Sequence, residues 1–509
     1  MNRPHDYRRK QLMNPCRRFS CLAVLALAAA VPADAAVTVL HSFSALMNNG
    51  TNQDGANPAA GLALAGNVLC GSAFNGGSKG AGALFYVAPD ASSFMTFRSL
   101  SNAPDAGFPQ GDLLASGTSL FGTSYAGGTN GVGSVYVVQT NGALSRILNF
   151  GTVDPNTATN LAGAGPNAAV ILAPSGNILF GAAGVGGLNG NGVIFSVPTN
   201  GTPSTLLHTF TALDSNTGTN TDGATPVGPM VLSGGALYGT TSAGGAGGNG
   251  TVFSVGTNGN NFTNLYSFTA LDPVTGTNTD GAIPYGGLVL SNGILYGTTM
   301  TGGPGESGTI FSIGTNGNGF AVLHPFTAVD PVSRTNTDGA RPVANLLLAG
   351  NTLYGTTPGG GSSADGTVFS LSTSGSQFQS LYSFSAVNSG NGTNVDGAIP
   401  DGDLILEGNS LYGTAYAGGF GAAGTVFRLS LPLSPAVITQ IVHNPDGSVT
   451  LSFLGSPSST NVIQSTPDLT SGLWQNISTN TADPVTGVWN FTDTAAGLLP
   501  MQFYRSYSH

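Results

Sequence analysis

The sequence predicts an all-β protein: a seven-bladed β-propeller of four-stranded blades whose last blade is completed by the N-terminal strand, followed by a small immunoglobulin- or fibronectin-like β-sandwich. Three observations lead there. The quartet Leu237-Tyr238-Gly239-Thr240 returns at Leu295, Leu353 and Leu411, 58 positions apart each time, and weaker copies begin at Leu69, Leu120 and Leu179, so the unit occurs seven times. Each unit is a set of short apolar alternations separated by Gly, Asn and Ser clusters, with no helical periodicity, as antiparallel meanders require. The repeat is also out of phase with the chain. Val37-Thr38-Val39-Leu40-His41-Ser42-Phe43 matches Leu206-Leu207-His208-Thr209-Phe210 and Leu381-Tyr382-Ser383-Phe384, whereas the last copy stops at Gly424-Thr425-Val426-Phe427 without that strand. Pairing the leading strand with the last copy closes a ring and removes exposed edges, an offset for which a linear solenoid has no use.

Taken in order, residues 1–36 read as a secretory signal peptide. Arg8, Arg9, Lys10, Arg17 and Arg18 precede an apolar run from Phe19 to Val31, and Ala33-Asp34-Ala35 fits a small-x-small site, with cleavage after Ala35 or Ala36. That run is too short to stay as a membrane span, so no transmembrane anchor is expected in the mature chain. Residues 37–430 are the repeats. In the copy at 262–311, one strand is expected around Leu265, Tyr266 and Phe268, a second at Leu288 and Leu290, a third at Leu295 and Tyr296, and a fourth at Ile310 and Phe311. With the first outermost and the second innermost, the two long connections, LDPVTGTNTDGAIP and the glycine-rich one after LYGTT, fall on one face. Function is expected on that face, since binding residues concentrate on loops held by a rigid scaffold. A proline linker covers 431–436. Residues 437–509 then offer the strands VITQIV, SVTLSF, NVIQST, LWQNIS, GVWNFT and QFYRSY with a Pro445-Asp446-Gly447 turn, the pattern of a small sandwich. Both tryptophans, Trp474 and Trp489, fall there and are expected in its core.

Without residues 1–36 the chain keeps seven Lys and Arg against 21 Asp and Glu, a net charge of about −14, and Lys79 is its only lysine. It cannot neutralise a row of phosphates, so nucleic acid and anionic membranes are excluded as partners. Cationic ligands, calcium, neutral glycans or a surface protein suit it better. Cys70 is the one cysteine left, which rules out an intrachain disulfide; it replaces the aromatic of other copies (Phe121, Phe180, Tyr238) and reads as a buried filler.

Asp54, Asp105, Asp222, Asp280, Asp338 and Asp396 each stand four residues before a proline, and all but Asp105 lie in a TNxDG element. Alternating Asn and Asp oxygens ahead of Gly resemble part of a calcium loop, which makes Asp54, Asp222, Asp280, Asp338 and Asp396 candidate metal ligands. The element lacks a third carboxylate and a later bidentate Glu, and an aspartate fixing its own turn accounts for the recurrence as well. His41, His208 and His324 alternate with Tyr266 and Tyr382 at one strand position, as interchangeable half-buried residues do. No GxSxG elbow or HExxH helix occurs, and Glu306 and Glu407 are the only glutamates. Six equivalent aspartates give no reason for two to form a glycosidase pair. The glycine clusters lack a following Lys and helix and read as loops rather than phosphate cradles. No catalytic residue and no resident cofactor is assigned.

At LYGTT-x-GG…GTVF and the TDGAxP element, the chain over about residues 37–430 resembles the GloVer-type tandem repeat proteins of bacterial exported proteomes, a family of repeats followed by one of several cell-surface anchors. The resemblance implies an exported, surface-associated protein and brings no catalytic residues. The segment Phe503-Tyr504-Arg505-Ser506-Tyr507-Ser508-His509 departs from it, offering neither an apolar span nor a basic tail. The expected function is a non-enzymatic exported repeat protein that binds a glycan or protein through its long-loop face, the alternatives being a propeller-type lyase or hydrolase and a structural matrix protein.

Overall fold

The computed structural model describes residues 36–201, 203–431, 436–455, 459–467, 473–483, 487–496 and 502–508. The signal-peptide and linker readings lie almost wholly outside the described residues. The chain divides into two compact units, one spanning Ala35–Leu431 and the other containing Pro432–His509. Among the described residues the regular structure is β-strand throughout, without an α-helix.

The first unit holds seven antiparallel sheets in chain order. In the sheet built from Val289–Ser291, Ile294–Thr299, Thr309–Gly314 and Ala321–Pro325, the strands pair in sequence, and the fourth comes from the start of the next copy. Register follows from one small and one large residue: Gly297 of LYGT faces Phe311 of GTIF, and a Cβ on Gly297 would stand 2.6 Å from the Phe311 ring. The same Gly–Phe pairing recurs at Gly239 with Phe253, Gly355 with Phe369 and Gly413 with Phe427. Four sheets have this four-in-sequence form with three residues in their first strand, one has only Ile171–Leu172 there, and one gains a fifth strand at Ala224–Pro226. The last sheet, Ile405–Glu407, Ser410–Ala415 and Thr425–Ser430, takes its fourth strand from Ala36–Ser42, with Val39 opposite Phe427, as the phase offset requires.

Each sheet is locked to the one before it by the residue preceding the repeated proline. Asn57, Phe108, Gly165, Thr225, Ile283, Arg341 and Ile399 all have φ between 56° and 62°. Turned this way, each donates its backbone N–H to the carbonyl just ahead of the glycine in the preceding sheet's GTVF strand, from Phe108 to Ala81 at 2.8 Å through Ile399 to Asp365 at 3.0 Å. The proline then lies on that glycine. Asn57 donates to Ala423 at 2.7 Å and Thr414 Oγ1 to the Ala60 carbonyl at 2.8 Å, so the first sheet bonds to the last by the same device. Phenylalanines fill the space between neighbours: Phe43, Phe85, Phe150, Phe195, Phe210 and Phe253 are wholly buried. Cys70 is buried in a cluster with Leu84, Leu113, Leu120 and Tyr136, and burial pushes its thiol up to about 12.

The second unit has two three-stranded sheets, Val437–His443, Val449–Leu454 and Val488–Asp493 in one, and Gln475–Thr481, Thr460–Thr466 and Phe503–Ser508 in the other. Leu451, Phe453 and Trp489 of the first share a core with Ile463 and Tyr504 of the second. Trp489 stacks on Phe453, ring centres 4.9 Å apart. Trp474 differs from expectation: it is half-buried and carries the Arg505 guanidinium 4.3 Å above its ring.

At Gly424 φ is 100°, and a Cβ there would stand 2.5 Å from both Pro58 Cδ and the Ala415 carbonyl. Gly408 also has positive φ, 58°, but faces open space. Gly408→Ala is therefore expected to cost about 1 kcal/mol for its backbone alone, and Gly424→Ala several times that because the first and last sheets must separate. Denaturant unfolding of the two variants checks this; equal losses would reject the locking role.

Candidate functional site

The recurring aspartates sit apart, one in each of six copies, each clasped by the strand that precedes it. Asp222 accepts from His208 Nε2 at 2.9 Å and the Thr211 N–H at 3.1 Å; Asp280 accepts from the Tyr266 hydroxyl at 2.8 Å and the Thr269 N–H at 2.9 Å. Asp54 with His41 and Ser44, Asp338 with His324 and Thr327, and Asp396 with Tyr382 and Ser385 repeat the clasp. His and Tyr interchange because each brings a ring donor to the same carboxylate. Asp105 departs, pairing with Arg98 at 3.0 Å. The Asn of TNxDG is used as fully: Asn278 Oδ1 accepts from the Gly281 and Gly303 N–H groups, and its Nδ2 donates to the Thr269 and Gly281 carbonyls, which ties the two long connections together. The oxygens that a calcium ion would need are thus engaged with the chain itself, and no group of three or more His, Cys, Asp or Glu able to hold a metal occurs among the described residues. Burial raises the carboxyls of Asp54, Asp222 and Asp338, but hydrogen bonds from the histidine and from Ser44, Thr211 and Thr327 outweigh it and hold them below the ordinary range.

Polar groups that do not repeat gather elsewhere. Residues from the three positions after each repeated proline, with Pro358 and Ile399, line a cavity of about 360 Å³ to which all seven copies contribute. Its polar lining is Gln110, Asp112, Asn167, Tyr285, Asn345, Asp401 and Asp403; the remaining positions are small or apolar, including Ala59, Val227 and Val343. Asp112 accepts from the Gly61 N–H at 2.6 Å, and Asp403 accepts from the Asn345 N–H at 2.7 Å and from its side-chain amide. Burial, and after it the neighbouring Asp403 carboxyl, holds Asp112 well above the carboxylate range. Asn345 Oδ1 accepts from Gly287 N–H, extending this chain to a fifth copy. Asp401 has no such company. Its Oδ1 is buried without a partner, as is Asn167 Oδ1, and burial pushes the Asp401 carboxyl up to about 8. Tyr285 and Tyr416 are raised by burial and, second, by Asp401.

Sequence reasoning missed this cavity. Its signal lay in the residues after the repeated proline, where Ala59, Gln110, Asn167, Val227, Tyr285, Val343 and Asp401 differ although the flanking motif is constant.

The two kinds of aspartate have opposite pH signatures. Asp401 holds a proton in the folded chain that it loses near 3.8 when unfolded, so stability falls as pH rises from about 4 to about 8. Asp401→Asn removes that slope, and its melting temperature is expected to exceed the parent's by a margin that widens over the same interval. Asp222, depressed by its clasp, contributes stability above the unfolded value that is lost as pH falls through and below it; Asp222→Asn is expected to melt lower at pH 7 and to converge with the parent in acid. Melts between pH 2 and pH 9 test both.

No curated protein matches the sequence. Among solved structures, the chain is similar to the GH74 xyloglucanase from Xanthomonas campestris (TM-score 0.45, 10% identity, 83% of this chain and 60% of that one). It is also similar to the oligogalacturonate lyase from Vibrio parahaemolyticus (TM-score 0.38, 10% identity, 79% and 99%) and to a chain of the nidogen/laminin complex (TM-score 0.36, 14% identity, 58% and 88%). The profile of one repeat family matches residues 29–219, 156–336 and 332–450 in succession. With most of its length so matched, the chain belongs to the Gloeobacter/Verrucomicrobia repeat family.

Proposed function

We propose that the repeat unit is a seven-bladed β-propeller of an exported protein, that the C-terminal unit is an immunoglobulin-like sandwich serving as spacer or attachment module, and that the propeller binds a glycan without turning it over. The basic and apolar pattern of residues 1–36 supports export. Support for binding comes from one observation above all: copies alike elsewhere present unlike residues where they converge. The left-handed position before each repeated proline holds Asn57, Phe108, Gly165, Thr225, Ile283, Arg341 and Ile399, the last of which lines the cavity, although only glycine adopts that backbone freely and other residues pay about 1–2 kcal/mol. A purely structural joint would use Gly or Asn throughout. Strain retained around a cavity marks a place where side chains are needed for something other than the fold. Amide, carboxyl and phenol groups among small apolar ones suit hydroxyls and pyranose faces.

A surface protein is the ligand favoured by a second observation: Leu161, Val274, Val332 and Phe420 stand 74%, 90%, 91% and 74% exposed on the long connections. A hydrolase or lyase is the reading favoured by Asp112 and Asp403. Their carboxyls touch, whereas glycosidase pairs stand about 5–9.5 Å apart, which weighs toward binding. Glycan arrays with the processed chain, followed by product analysis of each glycan retained, separate the three. Binding without product is expected; product formation abolished by Asp112→Asn would replace binding with catalysis, and capture of no glycan would pass the role to a protein ligand. Ile399→Gly is expected to keep or raise the melting temperature, since relieved strain offsets the lost side chain, while weakening glycan binding at least tenfold. Unchanged affinity would reject the cavity as the site.

A further inference from the structure

The connection that leaves the Phe94–Ser99 strand departs from the other copies. Its aspartate, Asp105, is held by a cation instead of a ring: Arg98, which stands opposite Leu84 as His324 stands opposite Ile310, reaches the two carboxylate oxygens at 3.0 and 3.2 Å. Two further cations join it. Lys79, on the glycine-rich connection ahead of Ala83, lies 3.9 Å from Asp105 Oδ2, the oxygen that Arg98 contacts at 3.0 Å. Arg146, on the Leu144–Asn149 strand of the next sheet, donates through Nη1 to the carbonyl of Pro104. Three of the seven Lys and Arg beyond residue 36 thus meet on two bonded residues, in a chain of net charge about −14. Asp105 can neutralise only one of them. Closure of the sheets does not call for the others: in the copy that follows, Leu148 takes the ring position and Ala162 the aspartate position, and the sheet forms without either charge. Lys79 is 50% exposed and Arg146 is exposed as well, and ion pairs so placed add little stability. Ser78, Asn102 and Pro104 are exposed beside them.

We propose that this patch binds an acidic glycan, whose carboxylate or sulfate accepts from Lys79 and Arg146 while Ser78 and Asn102 meet neutral hydroxyls beside it. The glycan class rests on the reading above; the site is a separate one, since the cavity lining holds no Lys, Arg or His. Arg146 commits only Nη1 to the chain, which leaves the rest of its planar fork for an acid group with two or three oxygens. Cations gathered this closely repel one another, and an anion seated among them relieves that repulsion. The sign of the rest of the molecule narrows the ligand further. A polymer as densely charged as DNA, with one charge per about 1.7 Å, would be repelled along most of its length. A polysaccharide with one acid group per sugar or disaccharide can place one on the patch and lay uncharged hydroxyls on either side. Because fields at the surface fade over about 8 Å in about 0.15 M salt, the local excess of positive charge decides at that point.

Isothermal titration of the whole processed chain with oligosaccharides of alginate, κ-carrageenan and dextran tests this. One acidic series is expected to bind at least about tenfold more tightly than dextran at about 0.05 M salt, and to lose that margin at about 0.5 M. Tighter binding of alginate assigns a carboxylate and tighter binding of κ-carrageenan a sulfate; either supports the proposal. Lys79→Gln combined with Arg146→Gln alters two exposed side chains, so it is expected to melt close to the parent while binding the acidic chains about tenfold more weakly and with a flatter salt dependence. Lys79→Arg combined with Arg146→Lys keeps both charges and is expected to retain most of the affinity. Ile399→Gly, which acts at the cavity, is expected to leave acidic binding as it was. Unchanged acidic binding in the double Gln variant, or dextran binding as tight as the acidic chains, would overturn the patch and leave the cavity reading standing. Acidic binding lost in Ile399→Gly but kept in the double Gln variant would also overturn it and move the acid group to the cavity. Acidic binding that survives Ile399→Gly and falls in the double Gln variant, with no neutral glycan bound, would uphold the patch and reject the cavity.

Discussion

The architecture of the repeat unit depends on the contact of one proline with one glycine. A right-handed residue before the proline would direct its N–H away from the preceding sheet; the left-handed turn aims it at the neighbouring carbonyl and lays the ring on a glycine that has no Cβ to obstruct it. Apart from the Ala36–Ser42 strand of the last sheet, pairing inside a sheet is local, made mostly by hairpins of consecutive strands. Only this joint converts a string of hairpins into one body, and because it recurs seven times the strain of its non-glycine members is distributed rather than concentrated. The buried phenylalanines fill what the joint has already fixed.

That division explains what could be read from the chain. Strand order and all six C-terminal strands follow from apolar alternation, since a period of two records which face is buried, and the pairing of Ala36–Ser42 with Thr425–Ser430 follows from the phase of the repeat. The joint leaves no such record. Ile283 and Ile399 argue against a left-handed backbone by every local preference, so nothing in their identity announces it. The cavity was hidden for the same reason: its members are recognisable only after the joint has brought seven proline-following segments together. Asp222 and its equivalents were visible as a recurrence, but their clasp depends on His208 or Tyr266 fourteen positions upstream, on a strand that belongs to the preceding sheet. Trp474 shows the limit of composition, for a large apolar ring served as a platform for Arg505 rather than as core.

The two sets of aspartates also show how one residue type is given opposite tasks. Asp54, Asp222 and Asp338 face donors from hydroxyls, rings and backbone, which favour the ionised form and make the carboxylate a fixed part of the turn. Asp401 faces little but apolar and acceptor groups, so its charge is deferred. A fold that repeats its clasps faithfully is free to vary the residues it does not need for closure, and the converging segments are where that freedom is greatest.

Pairing the first strand with the last copy makes completeness a physical property of the chain. Residues 36–42 have no sheet of their own until residues 425–430 exist, and bringing the two together closes a loop of almost the whole unit, an entropic cost that grows only slowly with its length. A chain cut short by one copy, or clipped at its start, cannot substitute an internal strand, because every other strand is already spoken for. It is left with two open edges and an unfilled joint, which makes truncated forms sticky and exposed to proteolysis.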